Sequence, residues 1–382
     1  MGAATAVLPM EAGLTLAPAG VLLYPARGPL PDHETVVHLD IARRIADLLD
    51  LPFEGTFDPG IHGGKPYYFV PSGTIVGPEL KQRLGLHDEM SLFGGYCEHA
   101  FMPTKAISHG LVDASSAHPP GWSHEFETLS REAVLPGYTA FSLEDFLVAG
   151  KRLLRDGPLR VKPVEATAGR GQIVVPDLHE LNRAADTLDR DRLSRCGVVL
   201  ERHLDEVITY SVGQVRFPGL TASYIGTQSL TQDNDGIEVY GGSTLQFARG
   251  NYEALLALPL PQDYRAAVKL AQIYDRAAGI CYPSFFASRR NYDVAAGYDQ
   301  RGNRHVGVLE QSWRIGGASR AEIAALEVMH ADPACQQLKA ATLELYGTSA
   351  VPPAHAIETF SGQDPDLGPI RKYVMVESYG YT

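Results

Sequence analysis

Residues 289–319, RRNYDVAAGYDQRGNRHVGVLEQSWRIGGAS, read as a β-hairpin with a motif on its return arm. Tyr292, Val294 and Ala296 alternate with other residues, as a half-buried strand requires. The polar run Asp299-Gln300-Arg301-Gly302-Asn303 is a turn, and residues 306–310 form the return strand. Each arm carries one carboxylate, Asp293 and Glu310. Two carboxylates on adjacent strands, facing the same way, can hold Mg²⁺. That ion takes one or two protein carboxylates and completes its shell with phosphates and waters. The hairpin looks like one half of a nucleotide site. On its own, an exposed hairpin with two solvated acids reads the same way.

The neighbouring segments separate the two readings. Glu310-Gln311-Ser312-Trp313-Arg314 has the form Glu-x-[Asn/Ser]-x-Arg and leads into Ile315-Gly316-Gly317-Ala318-Ser319. Far upstream stand Leu159-Arg160-Val161-Lys162-Pro163, then Ala168-Gly169-Arg170-Gly171, then Val198-Val199-Leu200-Glu201-Arg202-His203-Leu204. In that order and at those distances the segments resemble the ATP-grasp superfamily, whose members join a carboxylate to an amine or similar nucleophile through an acyl phosphate. The resemblance covers residues 103–347 and rests on the ordered set, since no single motif is diagnostic. It implies an α/β (α+β) ATP-grasp fold. Two α+β subdomains, residues 103–204 and 205–347, would grip ATP behind a small α/β pre-ATP-grasp domain at 19–102. Residues 348–382 would form an extension with one strand, and the Ala-, Pro- and Gly-rich residues 1–18 a poorly ordered start.

The resemblance also assigns roles. Lys105 and Lys162 would neutralise phosphate charge, although Lys105 reads equally as a surface lysine. A lysine on a buried strand needs an anionic partner, and phosphate would supply one to Lys162. Lys162 is expected to point inward and Arg160 outward, or the reverse. Gly169, Arg170 and Gly171 would form the lid over the phosphates, since a Gly-rich turn lets backbone N–H groups approach phosphate oxygens. Arg170 would reach the γ-phosphate or point to water. Glu201 and the backbone of Arg202, His203 and Leu204 would form the adenine hinge, with Glu206 or Asp205 near the ribose. Asp293, Glu310 and Ser312 would bind Mg²⁺, with Mn²⁺ as an alternative. Ser312 stands where Asn is usual, but a hydroxyl is still a hard oxygen ligand. Arg314 would stabilise the transferred phosphoryl group, and Gly316, Gly317 and Ser319 would present N–H groups to substrate. Arg289 and Arg290 would bind a substrate carboxylate or remain solvated hairpin charges.

Composition narrows the classes. The 382 residues are 45% apolar and carry a net charge of −12 without a long basic run, which fits a globular protein and disfavours nucleic acid as a partner. No apolar stretch approaches membrane-spanning length, and the first residues lack the basic start of a signal peptide. The four cysteines are scattered, as buried thiols in a reducing cytoplasm are. His99, His109, His118 and His124 fit no metal spacing and read as solvated or packed. The reading is therefore a cytoplasmic ligase using ATP, Mg²⁺, a small carboxylate and an amine, with a homodimer as an option. An ATP-grasp kinase or phosphotransferase and a non-catalytic nucleotide-binding scaffold stay open beside it.

Residues 20–24 and 67–71 read as strands flanking a helix over 36–49. Ser142 and Asp145 start a helix running to about 154. Residues 177–193 and 262–279 read as single helices, and 210–217 and 222–227 as strands. Residues 321–329 and 333–346 read as further helices, 351–369 as a crossing segment and 371–379 as a strand.

Overall fold

A computed structural model describes residues 17–28, 30–165, 171–347 and 351–378. Near the N-terminus, Val21–Tyr24 lies between Phe53–Thr56 and Tyr68–Pro71 in a parallel three-stranded sheet. Helix Asp32–Leu49 covers it, burying Ile41, Ala42, Ile45 and Ala46. Asp32 and Glu34 favour the helix start by opposing the dipole, and Asp50 ends it in the left-handed conformation at φ 53. The poorly ordered start assigned to residues 1–18 falls mostly outside the described residues.

A four-stranded antiparallel sheet follows, in the order Gly137–Ala140, Val198–Arg202, Leu159–Pro163, Ile173–Val175. Helix Leu143–Leu153 backs it, and its Ser142 cap accepts the Asp145 N–H at 3.1 Å, as the capping box requires. Phe146, Leu153, Leu159, Val161 and Leu181 fill the core between. The single helix expected over 177–193 is two, Leu178–Asp186 and Arg190–Cys196. Asp189 interrupts the run by accepting the Arg192 N–H and starting a second helix.

The largest element is an eight-stranded antiparallel sheet. Its order is Arg304–Ser312, Arg289–Tyr298, Asp205–Phe217, Leu220–Gln232, Glu238–Arg249, Gln337–Tyr346, Gly368–Ser378, Ile357–Asp364. Helix Gln262–Cys281 packs on one face through Ala267, Ala271, Tyr274 and Ala278. Helix Ser319–Ala331 packs with the small N-terminal layer in a second core.

Two expectations are corrected here. Gln337–Tyr346 is a strand, not a helix, and Ile357–Asp364 is a strand inside what read as a crossing segment. The run Leu338-Lys339-Ala340-Ala341 favours helix locally, but pairing with Glu238–Arg249 on one side and Gly368–Ser378 on the other overrides it. The C-terminal extension therefore contributes two strands rather than one. Among the described residues no helix is long and apolar enough to cross a membrane.

Candidate active site

The hairpin forms as read, with arms Arg289–Tyr298 and Arg304–Ser312. Its register holds a detail that alternation alone does not reveal. Asp293 pairs with Glu310 and Asn291 with Ser312, but Val294 pairs with Val308, leaving Leu309 as an extra residue. Such a bulge reverses which face each later side chain takes. Before it, Val306 and Val308 point into the core against helix Gln262–Cys281; after it, Trp313 does so. Glu310, Ser312 and Arg314 consequently share the opposite face with Asn291 and Asp293.

That face lines a cavity of about 1090 Å³ between the two large sheets and the N-terminal layer. Lys105, Lys162, Glu201, Arg202 and Leu204 reach its wall from the four-stranded side and its approach loop. The candidate residues thus converge, with named exceptions. His203 and Glu206 do not line it, and Glu206 takes a left-handed conformation at φ 51 in the irregular start of strand Asp205–Phe217. The N–H groups of Arg202 and His203 already donate to the carbonyls of Pro136 at 2.9 Å and Pro158 at 3.0 Å. Neither N–H is open to an adenine edge as expected. Gly169 and Arg170 lie outside the described residues, and Gly171 is exposed at φ 68, off the cavity wall.

Lys162 is buried, and its ammonium pairs directly with the Glu201 carboxylate. The anionic partner it needs is therefore a protein group. His109 Nε2 bonds the other Glu201 oxygen at 3.1 Å, which makes this histidine a packed one. Burial works against ionising Glu201, but the Lys162 charge and then His109 outweigh it and bring its pKa down to about 2. Arg160 and Lys162 both line the cavity, since residues two apart share a strand face; inward-outward alternation between them is corrected.

Lys105 is likewise buried, so the surface reading is overturned. Its ammonium lies 2.9 Å from Glu310 Oε2. Gln311, on the opposite face from Glu310, holds this loop in place. Its amide donates to the carbonyls of Met102 and Thr104, each at 2.7 Å, and accepts from the Tyr274 hydroxyl at 2.8 Å. Gln311 went unremarked in the sequence, where only its position inside the motif pointed to it.

Asp293 accepts from the Gln228 amide at 2.8 Å. Its carboxyl meets solvent only inside the cleft. Burial, then the Glu310 carboxylate, raises its pKa to about 7. An acid that resists ionising beside a second carboxylate suits a cation. Among the described residues no cluster of three His, Cys, Asp or Glu could hold a metal by itself. Two carboxylates and the Ser312 hydroxyl instead suit Mg²⁺ that draws other ligands from phosphate and water.

Arg289 is not a solvated hairpin charge. Its guanidinium is 1% exposed and paired at 2.8 Å with Glu322, itself fully buried. It also donates to the Ser312 carbonyl at 3.1 Å and hydroxyl at 3.2 Å, and to the Arg314 carbonyl. It therefore braces the strand that carries the cavity-facing groups. Arg290 is spent as well, on Asp275 at 2.8 Å and Glu89 at 3.4 Å. Ser319 is buried, and its hydroxyl accepts the Gly316 N–H at 3.0 Å, so this N–H too is used internally. Gly317 is forced by sterics, because a Cβ there would lie 2.6 Å from the Tyr240 ring. Arg314 donates to the Ile315 carbonyl at 2.7 Å. Burial and the nearby Arg27 and Arg289 lower its pKa to about 10, which leaves it charged at neutral pH.

The family model described as "Protein of unknown function (DUF3182)" matches residues 21–374, and the chain belongs to that family. No curated protein is similar to it in sequence. Among solved structures it is similar to the biotin carboxylase domain of Hydrogenobacter thermophilus 2-oxoglutarate carboxylase, in complex with MgADP, ADP and bicarbonate. That likeness has a TM-score of 0.55 at 13% identity, over 94% of this chain and 86% of that one. It is also similar to N5-carboxyaminoimidazole synthetase from Staphylococcus aureus complexed with ADP (TM-score 0.52, 11% identity, 94% and 93% covered). A third is the Campylobacter jejuni biotin carboxylase–β,γ-ATP complex (TM-score 0.51, 12% identity, 94% and 87% covered). The chain has the ATP-grasp fold.

Proposed function

We propose that this protein is an ATP- and Mg²⁺-dependent ligase. It would activate a small-molecule carboxylate as an acyl phosphate, releasing ADP, for attack by an amine. One observation carries the reading: two lysines, two facing carboxylates, a hydroxyl and an arginine converge on a single cavity in a chain of this fold.

Lys105 and Lys162, which line the cavity, would supply positive charge to the nucleotide phosphates, with Glu201 fixing Lys162. Asp293, Glu310 and Ser312 are the groups that would hold Mg²⁺, which supplies charge neutralisation to phosphoryl oxygens when bound. Lys105 is now the counter-ion of Glu310 and would be freed toward phosphate as Mg²⁺ took its place. Arg314 would orient the attacking carboxylate and stabilise developing negative charge, a contribution worth about 3 kcal/mol for a well-placed donor. A carboxylate oxygen would form a bond to the γ-phosphorus as the bond to ADP breaks. The amine nitrogen would then bond to the acyl carbon, phosphate would leave with the electron pair, and the nitrogen would shed a proton.

The test is ADP release from Mg-ATP with a panel of small carboxylic acids, with hydroxylamine present as a general nucleophile. Acid-dependent ADP release with hydroxamate formation, lost in Glu310→Ala, is the expected result. ADP release yielding a stable phosphorylated product and no hydroxamate would instead make the protein a phosphotransferase.

A further inference from the structure

The cavity continues past Arg314 to a second end that the ligase reading leaves unused. There the first turns of helix Asp32–Leu49 meet strand Ile357–Asp364, which pairs with Gly368–Ser378. His33 is 5% exposed and His38 6%, and both line the cavity with Asp364, which is 1% exposed. Both ring nitrogens of His33, Nδ1 of His38 and Oδ2 of Asp364 are buried without a hydrogen-bond partner. The contact between His33 Nε2 and Asp364 Oδ2 is 3.8 Å, too long for a hydrogen bond. Asp364 itself is firmly held, since its Oδ1 accepts the N–H groups of Asp366 and Leu367, each at 3.0 Å. Buried polar atoms are ordinarily satisfied, and several unsatisfied ones on residues that line one cavity point to a ligand that satisfies them.

Charge specifies what kind. Glu34, Glu344, Asp364 and Asp366 line this end against a single lysine, Lys372, which is already paired with Glu344 at 2.9 Å. Both histidines are held neutral: burial, then neighbouring positive charge, lowers His33 and brings His38 down to about 4. They offer lone pairs, not positive charge. Towards the hairpin the sign reverses. Arg27 and Arg314 face the cavity there, and Arg289, also on its wall, is neutralised by Glu322. Beside the hairpin, arginines are thus available to a carboxylate, with Glu310 already paired with Lys105 and Asp293 held by Gln228, while carboxylates are available to a cation beside the C-terminal strands.

We infer that the far end is an ammonium-binding subsite. The acid activated beside Arg27 and Arg314 is then a small zwitterion whose protonated amine bridges Asp364 Oδ2 and His33 from the cavity side. Only the carboxylate end of this inference rests on the ligase reading; the ammonium end rests on the buried unsatisfied groups. The C-terminal strands, which extend the large sheet beyond Gln337–Tyr346, acquire a role as the wall that selects the substrate.

The probes are ω-amino acids from 3-aminopropanoate to 6-aminohexanoate, each beside the alkanoate of the same chain length. They are titrated into the full chain with Mg²⁺ and a non-hydrolysable ATP analogue. At least one amino acid is expected to bind about tenfold or more tighter than its matched alkanoate, as a charge-assisted hydrogen bond to a buried carboxylate implies. Asp364→Asn keeps the carbonyl that accepts from Asp366 and Leu367 and removes the charge, so it should erase that preference without changing the melting temperature. His33→Phe, which keeps an aromatic ring and removes the ring nitrogens, should weaken the amino acid but not the alkanoate. Equal binding of the two series, or binding of neither by protein that binds the analogue, overturns the subsite. Failure of the analogue alone, with the preference intact, overturns the nucleotide reading and leaves the subsite standing.

Discussion

Glu322→Gln separates a structural Arg289 from a substrate-binding one. The substitution keeps side-chain volume and one carbonyl oxygen. It turns an NH₂ group towards a guanidinium that now donates to both Glu322 oxygens at 2.8–3.1 Å. Neither partner can turn to water, since Arg289 is 1% and Glu322 0% exposed at the side chain. Removing one member of such a pair leaves a buried charge uncompensated, which costs about 3–5 kcal/mol. The loss also reaches the site, because the same guanidinium holds the carbonyls of Ser312 and Arg314. Urea unfolding followed by circular dichroism, with the slope unchanged, should show a midpoint shift of that size. Nucleotide-analogue affinity should fall with it. A loss below about 1 kcal/mol, within the range of surface ion pairs, would refute the bracing role and return Arg289 to the substrate.

Two other outcomes follow from the same geometry. Gln311→Leu removes three hydrogen bonds and strands the Met102 and Thr104 carbonyls, so stability should fall by about 3 kcal/mol and the Lys105 loop should exchange its amide hydrogens faster. Glu201 gives a pH signature. Its folded pKa, about 2, lies below the ordinary 4.5, so its contribution is complete above pH 4.5 and is lost as pH falls towards 2. That contribution amounts to about 3 kcal/mol. Glu201→Gln should be less stable at neutral pH yet flatter in stability between pH 4.5 and 2; an unchanged slope there would contradict the Lys162–Glu201–His109 arrangement.

What the sequence made legible was local. The hairpin arms, the Ser142 cap and the lysine strand follow from two-residue alternation and capping chemistry, and each forms where expected. Non-local pairing was hidden. Nothing near Lys162 marks Glu201 as its counter-ion, and nothing near Arg289 marks Glu322. The Leu309 bulge is a one-residue register slip, invisible to a pattern that treats the return strand as regular. Gln337–Tyr346 was misread because helical propensity and strand pairing disagree there, and pairing on both edges wins. His33 and His38 share the first helix, but Asp364 is distant in sequence and joins them only when the C-terminal strands fold back on that helix.

On the proposed reading the cavity binds Mg-nucleotide through Lys162 and Glu310. Calorimetric titration of a non-hydrolysable ATP analogue with Mg²⁺ tests it most directly, run beside Lys162→Ala and Glu310→Ala. Binding that is lost in Lys162→Ala and no longer depends on Mg²⁺ in Glu310→Ala is the expected result. A folded wild-type protein that takes up no analogue, or binds it equally well in both variants, would contradict it.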